Sequence, residues 1–226
     1  MFILHVSGSG RVRSYVSRIC LMMGLLAVSV NARDAGMDAL LKSVEARYNR
    51  ANSLQVLFRE DYTLVGHARK QESGMLLLRK PGRMRWEYTA PKGKLIVCDG
   101  KNMWMYTPAD NRVEKMAAPS ESGDMRAPLA FLLGKLHFDK EFSNIAGRPE
   151  GPDTRITAGP KTDNLPYSAV EFVVTPEGRI REVKATGFDQ AVYLFTFDQE
   201  KLNPPIDGKL FHFEAPRGAE MVEAGG

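Results

Sequence analysis

The chain has 226 residues, 43% of them hydrophobic and 26% charged, which excludes a disordered chain and is enough for one sizeable core. Its formal charge of +4 overstates its basicity: Arg11, Arg13 and Arg18 precede the first acidic residue, Asp34, and without those three the 31 basic residues fall to 28 against 27 acidic ones. A body so close to neutral offers no basic surface for nucleic acid.

Residues 1–32 read as a secretory signal. Arg11, Arg13 and Arg18 form its charged region, Ile19 to Val30 its apolar core, and Val30-Asn31-Ala32 a small-residue cleavage site before Arg33. The apolar run is short for a membrane span. The mature chain is therefore expected to be one exported domain, 33–226. Cys20 lacks the small-residue context of a lipidation site, so the mature chain keeps a single cysteine, Cys98, and no internal disulfide.

Asp34 to Arg50 predicts a helix. Met37, Leu40, Leu41, Val44 and Tyr48 recur at helical spacing, with Asp34 as its cap. Ser53 to Val65 then predicts a strand, and Gly66 to Ser73 its hairpin loop. From Gly74 to Met116 the turn signals Pro81-Gly82, Ala90-Pro91-Lys92-Gly93, Asp99-Gly100 and Pro108-Ala109-Asp110-Asn111 recur at short intervals, as hairpin-connected strands require. Between them Met84, Trp86 and Tyr88 alternate with Arg83, Arg85 and Glu87, one apolar face against one charged. Asn102 to Tyr106 carries large apolar groups on both faces, so something is expected to cover the sheet on each side. Five methionines (Met75, Met84, Met103, Met105, Met116) fall in this meander; their side chains suit a cavity that must accept variable apolar shapes.

Ala117 to Ala127 is polar and reads as a loop. Pro128 to Gly134 has the Pro-first, Gly-after pattern of a short helix, apolar nearly all round, which must lie on another apolar surface. Strands return at Arg155–Ala158, Ser168–Thr175, Arg179–Thr186, Val192–Lys201 and Leu210–Ala215.

A search for catalytic groups finds little. His5, His67, His137 and His212 are scattered without zinc spacing, and there is no Gly-x-Ser-x-Gly elbow or phosphate-cradling glycine loop in the mature chain. Asp99-Gly100 reads as a hairpin turn, and Cys98 as a half-buried strand residue. A hydrolase whose groups converge only in three dimensions stays open. The apolar set Met84, Trp86, Tyr88, Met103, Trp104, Met105, Phe172, Phe195 and Phe197 reads, by itself, as the filling of a sandwich or barrel core.

Two runs in the meander change that reading. Arg79-Lys80-Pro81-Gly82-Arg83-Met84-Arg85-Trp86-Glu87-Tyr88 and Leu95-Ile96-Val97-Cys98-Asp99-Gly100-Lys101-Asn102-Met103-Trp104-Met105-Tyr106-Thr107-Pro108 together resemble the signature of the LolA family, periplasmic carriers that take lipoproteins from the inner to the outer membrane of Gram-negative bacteria. Asn203 to Gly218 also resembles the family's closing strand. The resemblance implies a mainly β fold with a few helices (α+β), an unclosed antiparallel β-barrel covered by a helical lid. It implies an interior that takes acyl chains, lined by Met75, Leu77, Met84, Trp86, Tyr88, Met103, Met105, Phe172 and Phe195, with Leu129, Phe131 and Leu132 on the lid. In the family a basic residue before the proline holds the lid shut. Lys80 takes that place here, with Arg79 on the opposite strand face, and a lysine offers a point charge where an arginine offers a fork of donors. The resemblance further implies a periplasmic monomer without cofactor, metal or catalysis. Its partners would be lipoproteins or other acylated amphiphiles, an inner-membrane release complex and an outer-membrane acceptor. The alternative is a lipid-sensing regulatory module on the same fold, of the RseB type; an envelope enzyme ranks third.

Overall fold

The computed structural model describes residues 35–118, 136–162 and 167–223. Within them lie a helix α1 (Ala35–Arg50), a short helix α2 (Phe138–Glu141) and thirteen strands. The first seven strands are β1 (Ser53–Leu64), β2 (His67–Ala68), β3 (Glu72–Arg79), β4 (Arg83–Ala90), β5 (Leu95–Cys98), β6 (Asn102–Thr107) and β7 (Arg112–Ala117). The rest are β8 (Phe142–Glu150), β9 (Asp153–Pro160), β10 (Tyr167–Val174), β11 (Ile180–Gly187), β12 (Val192–Leu202) and β13 (Glu220–Glu223). They form one sheet in the order β13-β7-β6-β5-β4-β3-β1-β12-β11-β10-β9-β8, with β2 beside β1. Neighbours are antiparallel except β13 on β7. The outermost strands, β13 and β8, do not pair, so the sheet stays unclosed.

Register fixes which side chains share a face. Val56, Leu76, Trp86, Ile96 and Met105 pair in turn across β1, β3, β4, β5 and β6. A second row, Leu54, Leu78, Met84, Cys98 and Met103, runs beside it. Toward the other edge Glu60, Phe195, Val183, Phe172 and Ile156 pair across β1, β12, β11, β10 and β9. The Trp86 and Phe195 rings lie 5.8 Å apart although three strand steps separate β4 from β12. In a flat sheet those steps would hold them about 14 Å apart, so the sheet curls its inner face around one core.

Helix α1 closes that core. Leu41, Val44 and Tyr48 are buried in the same cluster, with Met37 and Leu40 packed against it. The turn between β10 and β11 backs directly onto the helix: Gly178 has φ +77°, and a Cβ there would stand 2.6 Å from Ser43 Oγ. Only glycine satisfies both conditions.

The outer face has its own covering. The strand expected at Leu210–Ala215 is instead a single 3-10 turn, Gly208–Phe211, followed by a stretch without strand pairing. Pro204 and Pro205 bring no N–H to a ladder, and Asp207 caps the turn by accepting from Lys209 N at 3.0 Å. Phe213 then stacks on Trp104, ring centroids 5.7 Å apart, which supplies the second covering that the two-sided apolar pattern of β6 called for. The last strand among the described residues is β13 rather than residues 210–215. The loop expected over Gly66–Ser73 contains β2 and the start of β3, and β8 is a strand the sequence did not announce. The helix expected at Pro128–Gly134 lies outside the described residues.

Candidate functional site

Strand β4 sets the inner face. Its side chains alternate, so Met84, Trp86 and Tyr88 face the core while Arg83, Arg85 and Glu87 face out. Trp86 has no exposed surface. Phe58 meets the Trp86 ring edge-on at 4.7 Å and the Tyr88 ring at 5.0 Å, with Phe195 5.8 Å from Trp86. Phe58 and Tyr88 reach each other across β3 because Gly74 lies between them in the pairing, where a Cβ would be 2.1 Å from Glu87 O. A second aromatic group forms on the far half of the sheet: Phe138 and Phe142 pack on Phe172 at 5.6 and 5.8 Å. Met84 and Met105 are partly buried against this core, and Met103 is buried in it.

Two polar features interrupt the apolar face. Tyr88 Oη donates to Glu60 Oε2 at 3.3 Å, a buried pair beside Phe58. Trp86 Nε1 is buried and finds no hydrogen-bond partner among the described residues. Cys98 sits between Met84 and Met103 in their row; it is buried, donates weakly to Gly82 O at 3.4 Å, and burial pushes its thiol pKa up, so it stays protonated.

The rim holds the basic residue expected to act on the covering helix. Lys80 Nζ donates to Asn49 O at 2.7 Å and reaches Tyr48 O at 3.5 Å. These are carbonyls of the last turn of α1, which have no partner within the helix and carry the negative end of its dipole. Burial pulls the Lys80 pKa below its ordinary value. The contact expected with residues 128–134 lies outside the described residues; the observed partner is α1. The same turn is tied down from other directions. Arg47 Nε donates to Glu200 Oε1 at 3.0 Å, Tyr48 Oη donates to Glu200 Oε2 at 2.6 Å, and Ile180 N donates to Tyr48 Oη at 2.9 Å. Burial beside Glu200 raises the Tyr48 pKa, keeping its hydroxyl a donor. Asn49 pairs with the backbone of Leu136 in both directions, at 2.8 and 3.0 Å.

The structure therefore brings Met84, Trp86, Tyr88, Met103, Met105, Phe172 and Phe195 together on one inner face, with Lys80 at its rim. It sets Met75 and Leu77 on the outer face, because Met75 pairs with Glu87 and Leu77 with Arg85; Leu76 and Leu78 face inward instead. Met75 lines an outer groove of about 350 Å³ with Leu57, Arg59 and Asp198. Arg79 also turns outward, where Nη1 donates to Ile206 O at 3.1 Å. Leu129, Phe131 and Leu132 lie outside the described residues. Sequence reasoning missed Phe58, whose ring joins Trp86 to Tyr88, and Glu200. Alternation in β1 pointed to Phe58; nothing local marked Glu200.

The family model described as outer membrane lipoprotein carrier protein LolA matches residues 49–214. The outer-membrane lipoprotein carrier protein of Proteus mirabilis is 29% identical over 202 residues, covering 88% of this chain and 96% of that protein. The protein of the same name from Chromobacterium violaceum is 26% identical, covering 89% and 96%. Among solved structures, a LolA superfamily protein from Nitrosomonas europaea aligns with 78% of this chain and 97% of its own at 11% identity and a TM-score of 0.43.

Proposed function

This chain belongs to the LolA family of outer-membrane lipoprotein carrier proteins, and we propose that it binds the acyl chains of a lipoprotein against its inner sheet face and delivers them to an outer-membrane acceptor. The observation that carries this reading is the largely apolar face from Met105 through Trp86 to Phe172, covered by α1, whose end Lys80 clips. On this reading residues 1–32 are a cleaved signal, and residues 33–226 work as a periplasmic monomer between a release complex at the inner membrane and its acceptor.

The energetics suit a carrier. Each buried CH₂ contributes about 0.8 kcal/mol, so one long acyl chain in water represents on the order of 10 kcal/mol of apolar exposure. Such burial is non-directional and tolerates different cargo without a cofactor. A hydrogen bond to a charged group contributes about 1.5–3 kcal/mol, less where water competes. The Lys80 clip is thus small beside the cargo's burial, and it governs opening and release more than total affinity. Because the inner side chains are packed under α1, an acyl chain enters only where helix and sheet part.

The test is a transfer assay in which the protein, loaded from donor vesicles carrying a fluorescent lipoprotein, is mixed with acceptor vesicles. Net transfer with unaltered cargo is the expected outcome. Chemically altered cargo would instead indicate an enzyme, and loading that only tightens binding to another protein would indicate a sensor. N-terminal sequencing of protein from an osmotic-shock fraction should find a start near Arg33; an intact Met1 would remove the periplasmic assignment.

A further inference from the structure

Among the described residues, two buried side-chain nitrogens have no hydrogen-bond partner, Arg112 Nε and Trp86 Nε1. The arginine is unremarkable, since its side chain is 43% exposed and its guanidinium has further N–H groups that face water and Glu114. Trp86 differs. The whole residue is inaccessible, and an indole has one polar atom, which only donates. Buried indoles normally find an acceptor. This one is hemmed in by the rings of Phe58 and Phe195 and pairs across the sheet with Leu76 and Ile96. The nearby Tyr88 hydroxyl is bonded to Glu60.

An unmatched donor in the middle of an apolar face disfavours the empty state and rewards any ligand that brings an acceptor. The cargo class proposed above brings one. A lipid chain attached as an ester or amide carries a carbonyl oxygen at its head, a strong acceptor on an otherwise apolar tail. We propose that Trp86 Nε1 donates to that acyl carbonyl, so that the inner face distinguishes acyl esters and amides from carbonyl-free chains of the same length. The proposal rests on the carrier reading and deepens it: burial of the tail supplies affinity, and the indole N–H supplies the chemical selection and fixes how deep the chain sits. A site that pairs a ligand's polar group rejects the analogue lacking it, because its own group is then left bare.

The probes are palmitoyl lysophosphatidylcholine and its hexadecyl ether analogue, which share headgroup and chain length and differ in the carbonyl. Each is titrated below its micelle-forming concentration into full-length protein carrying isotope-labelled indole nitrogens. A Trp104→Phe variant identifies the Trp86 resonance, since the chain has only two tryptophans. The expected result is that both lipids bind, the ester about tenfold tighter, the size of one net hydrogen bond. The Trp86 N–H proton should move downfield with the ester alone. Replacing tryptophan by its sulfur isostere, which keeps the ring shape and lacks the N–H, should bring the ester-to-ether ratio to about one. Equal affinities with the N–H unmoved, or moved alike by both lipids, overturn the proposal and leave the carrier reading standing. Failure of both lipids to bind overturns both. The wild-type resonance decides the matter alone if the isostere variant does not fold.

Discussion

Lys80 and Arg79 are neighbours in sequence, yet they hold down different coverings on opposite faces of one sheet. Lys80 reaches the carbonyls of Asn49 and Tyr48 at the end of α1 over the inner face, and Arg79 reaches the carbonyl of Ile206 in the C-terminal stretch over the outer face. Both contacts use a cation against a backbone oxygen, but the coverings differ in kind. Helix α1 is a regular rod: Arg47, Tyr48 and Asn49 tie its last turn, and Glu45 Oε1 accepts from Phe138 N at 2.8 Å. Residues 206–213 have no regular ladder and are held point by point, by Arg79, by Arg85 Nη1 on Leu210 O at 3.2 Å, and by the Phe213 stack on Trp104. A regular helix can lift as a unit once its ties part, whereas a covering held point by point loses one contact at a time. On the carrier reading proposed above, the covering of the inner face is the one expected to move.

The largest test of that contrast compares the two aromatic anchors. Phe172→Ala empties a fully buried site in the inner core and should cost about 3–5 kcal/mol in urea unfolding. Phe213→Ala removes a half-buried ring from the outer stack and should cost about 1–2 kcal/mol. Equal losses would mean that the outer covering is as integral to the core as the inner one.

A middling effect is expected where α1 is tied. Glu200→Ala leaves Arg47 and the Tyr48 hydroxyl without their shared acceptor and should cost about 2–3 kcal/mol. Hydrogen exchange should quicken in α1 while the β6–β7 amides stay protected. If both regions quicken together, α1 does not open as a unit.

How much of this was readable beforehand follows from the physics of each segment. The inward set on β4 was legible because Met84, Trp86 and Tyr88 alternate with charged residues, and alternation reports burial on one face only. Met75 and Leu77 were misplaced because Leu76, Leu77 and Leu78 are all buried, and a run covered on both faces has no parity to read. Only the pairing of Leu76 with Trp86 fixes it. Strand β8 was hidden by Gly147 and Pro149, residues that read as a turn and that an edge strand tolerates. The second covering was hinted at by Trp104 and Met105 standing side by side, although its source, Phe213, lay far along the chain. Glu200 could not be found at all: a carboxylate late in the chain gives no local sign that it will meet Arg47 and Tyr48 in the fold.

The smallest expected change in stability decides most about function. Lys80→Leu removes one charge-assisted contact at a partly solvated rim, so unfolding should shift by about 1 kcal/mol. Lipid affinity should hardly change, because apolar burial supplies it. Transfer to acceptor vesicles should nonetheless become less efficient, since α1 would favour its closed position less once emptied and would drive the cargo out less strongly. Lys80→Arg should match or exceed the wild type, as the guanidinium can reach the same carbonyls with more donors. Arg79→Leu loosens one of several points holding residues 206–213 and should leave both stability and transfer within experimental error. The assay runs all three variants side by side in the donor-to-acceptor format. If Arg79→Leu blocks transfer while Lys80→Leu does not, cargo exchange depends on the outer covering, and the assignment of α1 as the moving part fails with it.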